Sequence, residues 1–100
     1  MKNEDDQFNI LRSISKNPGA SQRHISKNLG LSLGKVNYCL QALKQKGLIK
    51  ISNFRKSEDK LKYAYVITPS GFTEKAKLTV KFMKRKMKEY DELKKESENS

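Results

Sequence analysis

The residues best suited to chemistry lie between Ser32 and Gly47, and the chemistry they suit is hydrogen bonding to base edges. If this stretch is a helix, each residue turns about 100° from the last. With Val36 set at zero, Leu40 and Leu43 fall within about 40° of it and make an apolar stripe. Gly34, Tyr38, Gln41 and Gln45 fall on the opposite side, with Lys35 and Asn37 on the two flanks. The outward face is polar and mixed, not a wall of charge. Asn and Gln side chains can pair with adenine, Lys with guanine, and an aromatic ring can meet a thymine methyl. Gly34 costs helix stability, and closer approach of the helix N-terminus to a duplex is what it could return. The bland alternative for all of these is an ordinary solvated face.

Other reactive side chains have no company. His24, the only histidine, lacks Cys or His partners at metal-ligand spacing, and it lacks a nucleophile or orienting acid. Cys39, the only cysteine, excludes an internal disulfide. It reads as a small core residue, with redox sensing as the sharper alternative. No phosphate-cradling glycine loop, paired carboxylates or nucleophile motif occurs. The sequence therefore predicts no enzyme, no catalytic residue, no metal site and no cofactor.

Charge agrees with a polyanionic partner. Lys and Arg total 22 against 11 acidic residues, a formal net charge of +11. The surplus is uneven. Residues 1–20 are neutral, whereas residues 21–50 carry Arg23, Lys27, Lys35, Lys44, Lys46 and Lys50 with no acid. The binding surface is expected there. No secretory signal or membrane span is apparent, so a cytoplasmic protein without membrane contact is expected.

Five segments must position these residues. Residues 4–16 predict an amphipathic helix through Phe8, Ile10, Leu11 and Ile14, with Glu4, Asp5 and Asp6 at its favourable end. Asn17-Pro18-Gly19 ends it. Residues 21–29 predict a second helix, capped by Ser21 and stopped by Gly30. Ser32 caps the third, and Gly47 stops it. Two short helices on a short turn form a helix-turn-helix. Leu48, Ile49 and Ile51, then Tyr63, Tyr65 and Ile67, predict two strands around a polar stretch from Asn53 to Lys60, a hairpin "wing". Thr68 and Pro69 start a fifth segment, a helix to about Glu96 and roughly 40 Å long. Residues Ser97 to Ser100 are expected to fray.

The fold class expected is mainly α with a small β-hairpin: a winged helix-turn-helix over residues 1–68, a dimerisation helix over 69–97 and a frayed tail at 98–100. Phe72, Ala76, Thr79, Phe82, Met83, Met87, Tyr90 and Leu93 drift along one side of the long helix and call for a partner helix, most simply a second copy. Lys81, Lys84, Arg85, Lys86 and Lys88 suit a solvated coiled-coil face better than a membrane surface. DNA contacts are expected from Ser21, Gln22, Arg23 and Ser32 at helix starts, where N–H groups attract phosphate. Gly34, Lys35, Asn37, Tyr38, Gln41 and Lys44 of the third segment and Arg55, Lys56 and Lys60 of the wing complete the set.

Asn17-Pro18, Ser21 to Ile25, Leu29-Gly30, Ser32 to Leu40, Leu43 and Lys46-Gly47-Leu48-Ile49 resemble the MarR-type winged-helix regulators. The block Ser32 to Leu40 is similar to one branch of them, associated with bacterial exopolysaccharide gene clusters. Asn53-Phe54, Tyr65, Thr68 to Gly71 and Lys84 to Met87 extend that likeness. The resemblance implies sequence-specific binding of double-stranded DNA as a homodimer, the third helix in the major groove and the wing at the minor groove. It names no effector ligand. A protein-interaction module on the same fold is the rival from another class. RNA binding is a third option, disfavoured by the few aromatic residues available for stacking.

Overall fold

A computed structural model describes the backbone of residues 2–56 and 60–99 and the side chains of residues 4–51 and 65–99. The chain runs α1 (Lys2–Lys16), α2 (Gln22–Leu29), α3 (Leu33–Gln45), β1 (Ile49–Lys56), β2 (Lys60–Ile67) and α4 (Pro69–Asn99).

The local punctuation acts as the sequence predicts. Ser21 Oγ accepts from His24 N–H at 3.1 Å and Ser32 Oγ from Lys35 N–H at 3.1 Å, which satisfies one exposed donor at the start of each helix. Gly30 closes α2 at φ +67, in the left-handed region open to glycine. Gly30, Leu31 and Ser32 are then the whole turn between α2 and α3.

One apolar cluster holds the first half together. Ile10, Leu11 and Ile14 of α1, Ile25 of α2, Val36, Cys39, Leu40 and Leu43 of α3, and Ile49 of β1 are all buried. Asn28 Nδ2 donates to the buried Ser13 Oγ at 3.3 Å, which ties α2 to α1 and gives that hydroxyl a partner.

The hairpin departs from the expected polar tip. Its arms pair antiparallel from Ile49↔Ile67 through Ile51↔Tyr65 to Arg55↔Leu61 and Lys56↔Lys60. Asn53 to Lys56 is therefore strand, not loop. A ladder is made by backbone groups, so a polar sequence does not prevent it.

α4 also outruns its expectation. Its helix continues through Ser97, Glu98 and Asn99, where fraying was expected. No Pro or Gly interrupts the segment after Gly71, so each further residue adds a backbone bond without a new nucleus. At 1.5 Å per residue, its 31 residues span roughly 46 Å. The molecule is correspondingly drawn out, 64 × 26 × 20 Å. Thr68 caps the start of α4: its Oγ1 accepts from Gly71 N–H at 3.0 Å and donates to Gly47 O at 2.6 Å. A Cβ on Gly71 would overlap Leu48 O and Ile67 Cγ2. The Pro69-Ser70-Gly71 start, weak by helix propensity, is the point where α4 locks onto the base of the hairpin.

Candidate nucleic-acid interface

The surface of interest is assembled by two N-capped helices whose starts are joined. Gln22 Nε2 at the start of α2 donates to Leu33 O at the start of α3, 3.2 Å away. Around that link Ser21, Arg23, Ser32 and Gly34 are exposed, and Gln22 is half-buried. A shallow depression between the helices is lined by Arg23, His24, Ser26, Lys27 and Leu33.

The face of α3 divides as its periodicity predicts. Val36, Cys39, Leu40 and Leu43 are buried, and Asn37, Tyr38, Gln41, Lys44 and Gln45 are exposed. Tyr38 is 59 % exposed, so its ring and hydroxyl project outward. A Cβ on Gly34 would meet nothing within 4 Å. Among the described residues no packing constraint accounts for that glycine.

Lys35, on the flank of this face, turns its side chain toward α1. Its ammonium lies 3.4 Å from Asp6 Oδ2 on α1, and its side chain is half-buried. Cys39, one turn further on, is closed into the core. Burial pushes its thiol pKa up, the Asp6 carboxylate adds to the rise and Lys35 opposes it. A thiol held protonated is a poor redox sensor, and the structure favours the core reading of Cys39.

The expected wing contacts Arg55, Lys56 and Lys60 sit on paired arms of the hairpin. Their side chains lie outside the described residues.

On α4 the predicted stripe splits into two. Phe72, Val80, Met83, Met87, Tyr90 and Leu93 are 52–65 % exposed, and Ala76 is exposed beside them. Phe82 instead packs on Phe8 of α1, with ring centroids 5.3 Å apart. Thr79 is half-buried and its hydroxyl donates to Lys75 O. Leu78, which the expected stripe omits, reaches the core cluster. Val80 belongs to the exposed stripe and is likewise absent from the expectation. An open groove of about 490 Å³ follows the boundary, lined by Phe8, Arg12, Phe82, Met83 and Met87 among others.

Sequence reasoning also missed the polar fastening of α1. Glu4 meets Lys81, Asp5 meets Arg85, Asp6 meets Lys35, and Lys46 Nζ donates to Gln7 Oε1 at 3.1 Å. Glu4 and Asp5 both have pKa values lowered, chiefly by those hydrogen bonds to Lys81 and Arg85. The only sequence signal was an acidic triplet facing a basic chain, which names no pairings. Among the described residues no group of His, Cys, Asp and Glu could hold a metal ion, and no helix is long and apolar enough to cross a membrane.

Comparison with known proteins defines the class. Residues 7–50, from α1 to the start of β1, match the family model described as winged helix-turn-helix DNA-binding. Among solved structures the chain is similar to Staphylococcus aureus MarR, solved with salicylate and kanamycin. That likeness has 26% identity and a TM-score of 0.60, and it covers 81% of this chain and 54% of that one. It is similar to Lactococcus lactis ZitR, a zinc-responsive MarR family member, at 23% identity and TM-score 0.66, over 88% of this chain and 58% of that one. Streptococcus mutans smu.1704 shares the fold at 19% identity and TM-score 0.75, over 85% of this chain and 82% of that one. The chain spans little more than half the length of the MarR and ZitR chains. No curated protein matches the sequence. The protein is a winged helix-turn-helix with a long C-terminal helix, and its structural neighbours include MarR-family regulators.

Proposed function

We propose that this protein is a transcriptional regulator that reads double-stranded DNA as a homodimer, acting as a repressor by occupying its operator. One observation carries the reading. The outward face of α3 presents Gly34, Asn37, Tyr38 and Gln41, flanked by Lys44, within a stretch of 30 residues that has six basic side chains and no acid. A major groove admits a helix of this kind, and its base edges take amide and hydroxyl partners.

Phosphate anchoring falls to Ser21, Gln22, Arg23 and Ser32 at the two helix starts and to Arg55, Lys56 and Lys60 on the wing. Residues 1–68 form the DNA-binding unit and residues 69–97 the dimerisation helix. The exposed α4 stripe supports that assignment, because six large apolar side chains half-open to water favour a partner helix. Two recognition helices about 34 Å apart would read a pseudo-palindrome in successive major grooves. The likeness of Ser32 to Leu40 to one branch of regulators supports exopolysaccharide genes as the regulated set. The protein acts without catalysis, in the cytoplasm.

The test is fluorescence anisotropy with the DNA upstream of its own gene against a scrambled duplex, at about 150 mM salt. A preference of about a thousand-fold is expected. With about six to eight phosphates neutralised, the log–log salt slope should lie near −5 to −7. No binding to any duplex at low salt would overturn the reading in favour of a protein-interaction module.

A further inference from the structure

The first turns of α1 hold three consecutive carboxylates, and they face two ways. Glu4 Oε1 is 2.8 Å from Lys81 Nζ and Asp5 Oδ1 is 2.9 Å from Arg85 Nη2, both on α4. Asp6, about 100° further round the helix, reaches Lys35 in the first turn of α3 at 3.4 Å.

This third pair is the most covered of the ion pairs described, with side chains 20 % exposed at Asp6 and 34 % at Lys35. It lies on the α1 side of α3, close enough to Cys39 for both charges to act on that thiol, and Lys35 is one turn before Tyr38, on the flank of the outward face. Packing of α1 on α3 does not need it, since the buried apolar cluster already joins the two helices. An ion pair of this exposure adds little to the stability of the fold. What it does change is the charge offered by the leading end of α3.

We propose that Asp6 is a specificity-determining residue that withholds Lys35 from DNA phosphate. The inference rests on the reading of α3 as the DNA-facing helix. Non-specific affinity is almost wholly electrostatic, whereas base readout depends on the polar outward face. Neutralising the lysine at the start of the reading helix lowers affinity for any sequence and leaves the base contacts in place. The ratio of specific to non-specific binding rises as a result. Glu4 and Asp5 hold the same turn against α4, so the Asp6 carboxylate stays over Lys35.

The experiment measures binding of the full chain to a random-sequence duplex between about 50 and 200 mM salt. It compares Asp6→Asn, Asp6→Glu, Lys35→Gln and the Asp6→Asn/Lys35→Gln double variant. Asp6→Asn should bind about two- to five-fold tighter at the low-salt end and steepen the log–log slope by about 0.9, one added phosphate contact. Asp6→Glu should keep the wild-type slope, and the double variant should return to it. Lys35→Gln alone should leave the slope unchanged. That variant decides the matter if Asp6→Asn does not fold, and a slope shallower by about 0.9 would then overturn the proposal. Unchanged binding by a folded Asp6→Asn, or tightening that survives in the double variant, overturns it while the DNA reading stands. Failure of the wild-type chain to bind any duplex overturns both.

Discussion

Phe82 of α4 lies against Phe8 of α1 with ring centroids 5.3 Å apart and planes at 42°, 74 positions apart in the chain. Arg85 and Lys86 hold their cationic groups 4.9 and 5.3 Å from the Phe82 ring, and Arg12 holds its own 5.7 Å from Phe8. This small aromatic and cationic cluster seats the long helix on the buried core. Phe82→Ala should therefore destabilise the fold by about 1–3 kcal/mol, less than the loss of a fully buried Phe. Urea unfolding of the variant reads that value directly. An effect confined to self-association, with monomer stability unchanged, would return Phe82 to the partner interface.

Two glycines make opposite predictions. Gly71→Ala forces a Cβ onto Leu48 O and Ile67 Cγ2, and backbone cannot give way as a flexible side chain can. A loss of about 1–3 kcal/mol follows. Gly34→Ala meets open space inside a helix, so it should gain about 0.5–1 kcal/mol. Thermal melts of the pair give the signs. If Gly34 serves close approach to a duplex, the stabilised variant should bind DNA less tightly.

Acid should loosen α1 from α4. Glu4 and Asp5 have folded-state pKa values below their ordinary 4.5 and 3.8 because each carboxylate accepts a hydrogen bond from a cation on α4. The stability they contribute is fully present above those ordinary values and is lost as the pH falls through the depressed ones. The melting temperature should decline below about pH 4.5, and Glu4→Gln with Asp5→Asn should flatten that limb. Both pairs are exposed, so added salt should shrink the difference. A double variant with the wild-type acid limb would assign the loss to other groups.

Reading and anchoring should separate by mutation. Tyr38→Ala removes an outward side chain of α3, and it should cut preference for the operator by a factor of about 5 to 150, or 1–3 kcal/mol. Arg55→Ala should weaken all duplexes more evenly and reduce the salt slope by about 1. Anisotropy against operator and scrambled DNA distinguishes them, and equal losses in both would remove the division.

What the sequence determined by itself is local. Ser21, Gly30 and Ser32 set helix ends because a cap or a left-handed glycine acts over a few residues. The apolar spacing of Val36, Leu40 and Leu43 determined which side of α3 is buried, and so which side carries Tyr38 and Gln41. Tertiary structure alone decided what happens between elements. Propensity marks Gly71 as a helix-weakening residue, and only the contact with Leu48 shows it as a lock. Periodicity put Phe82 on one stripe with Met83 and Met87, and the position of α1 assigned it to its own chain. Lys35 reads as one more basic residue of a basic helix until Asp6, 29 positions away, is placed beside it. Spacing along a helix fixes direction about its axis, but the neighbour met in that direction depends on how the whole chain packs.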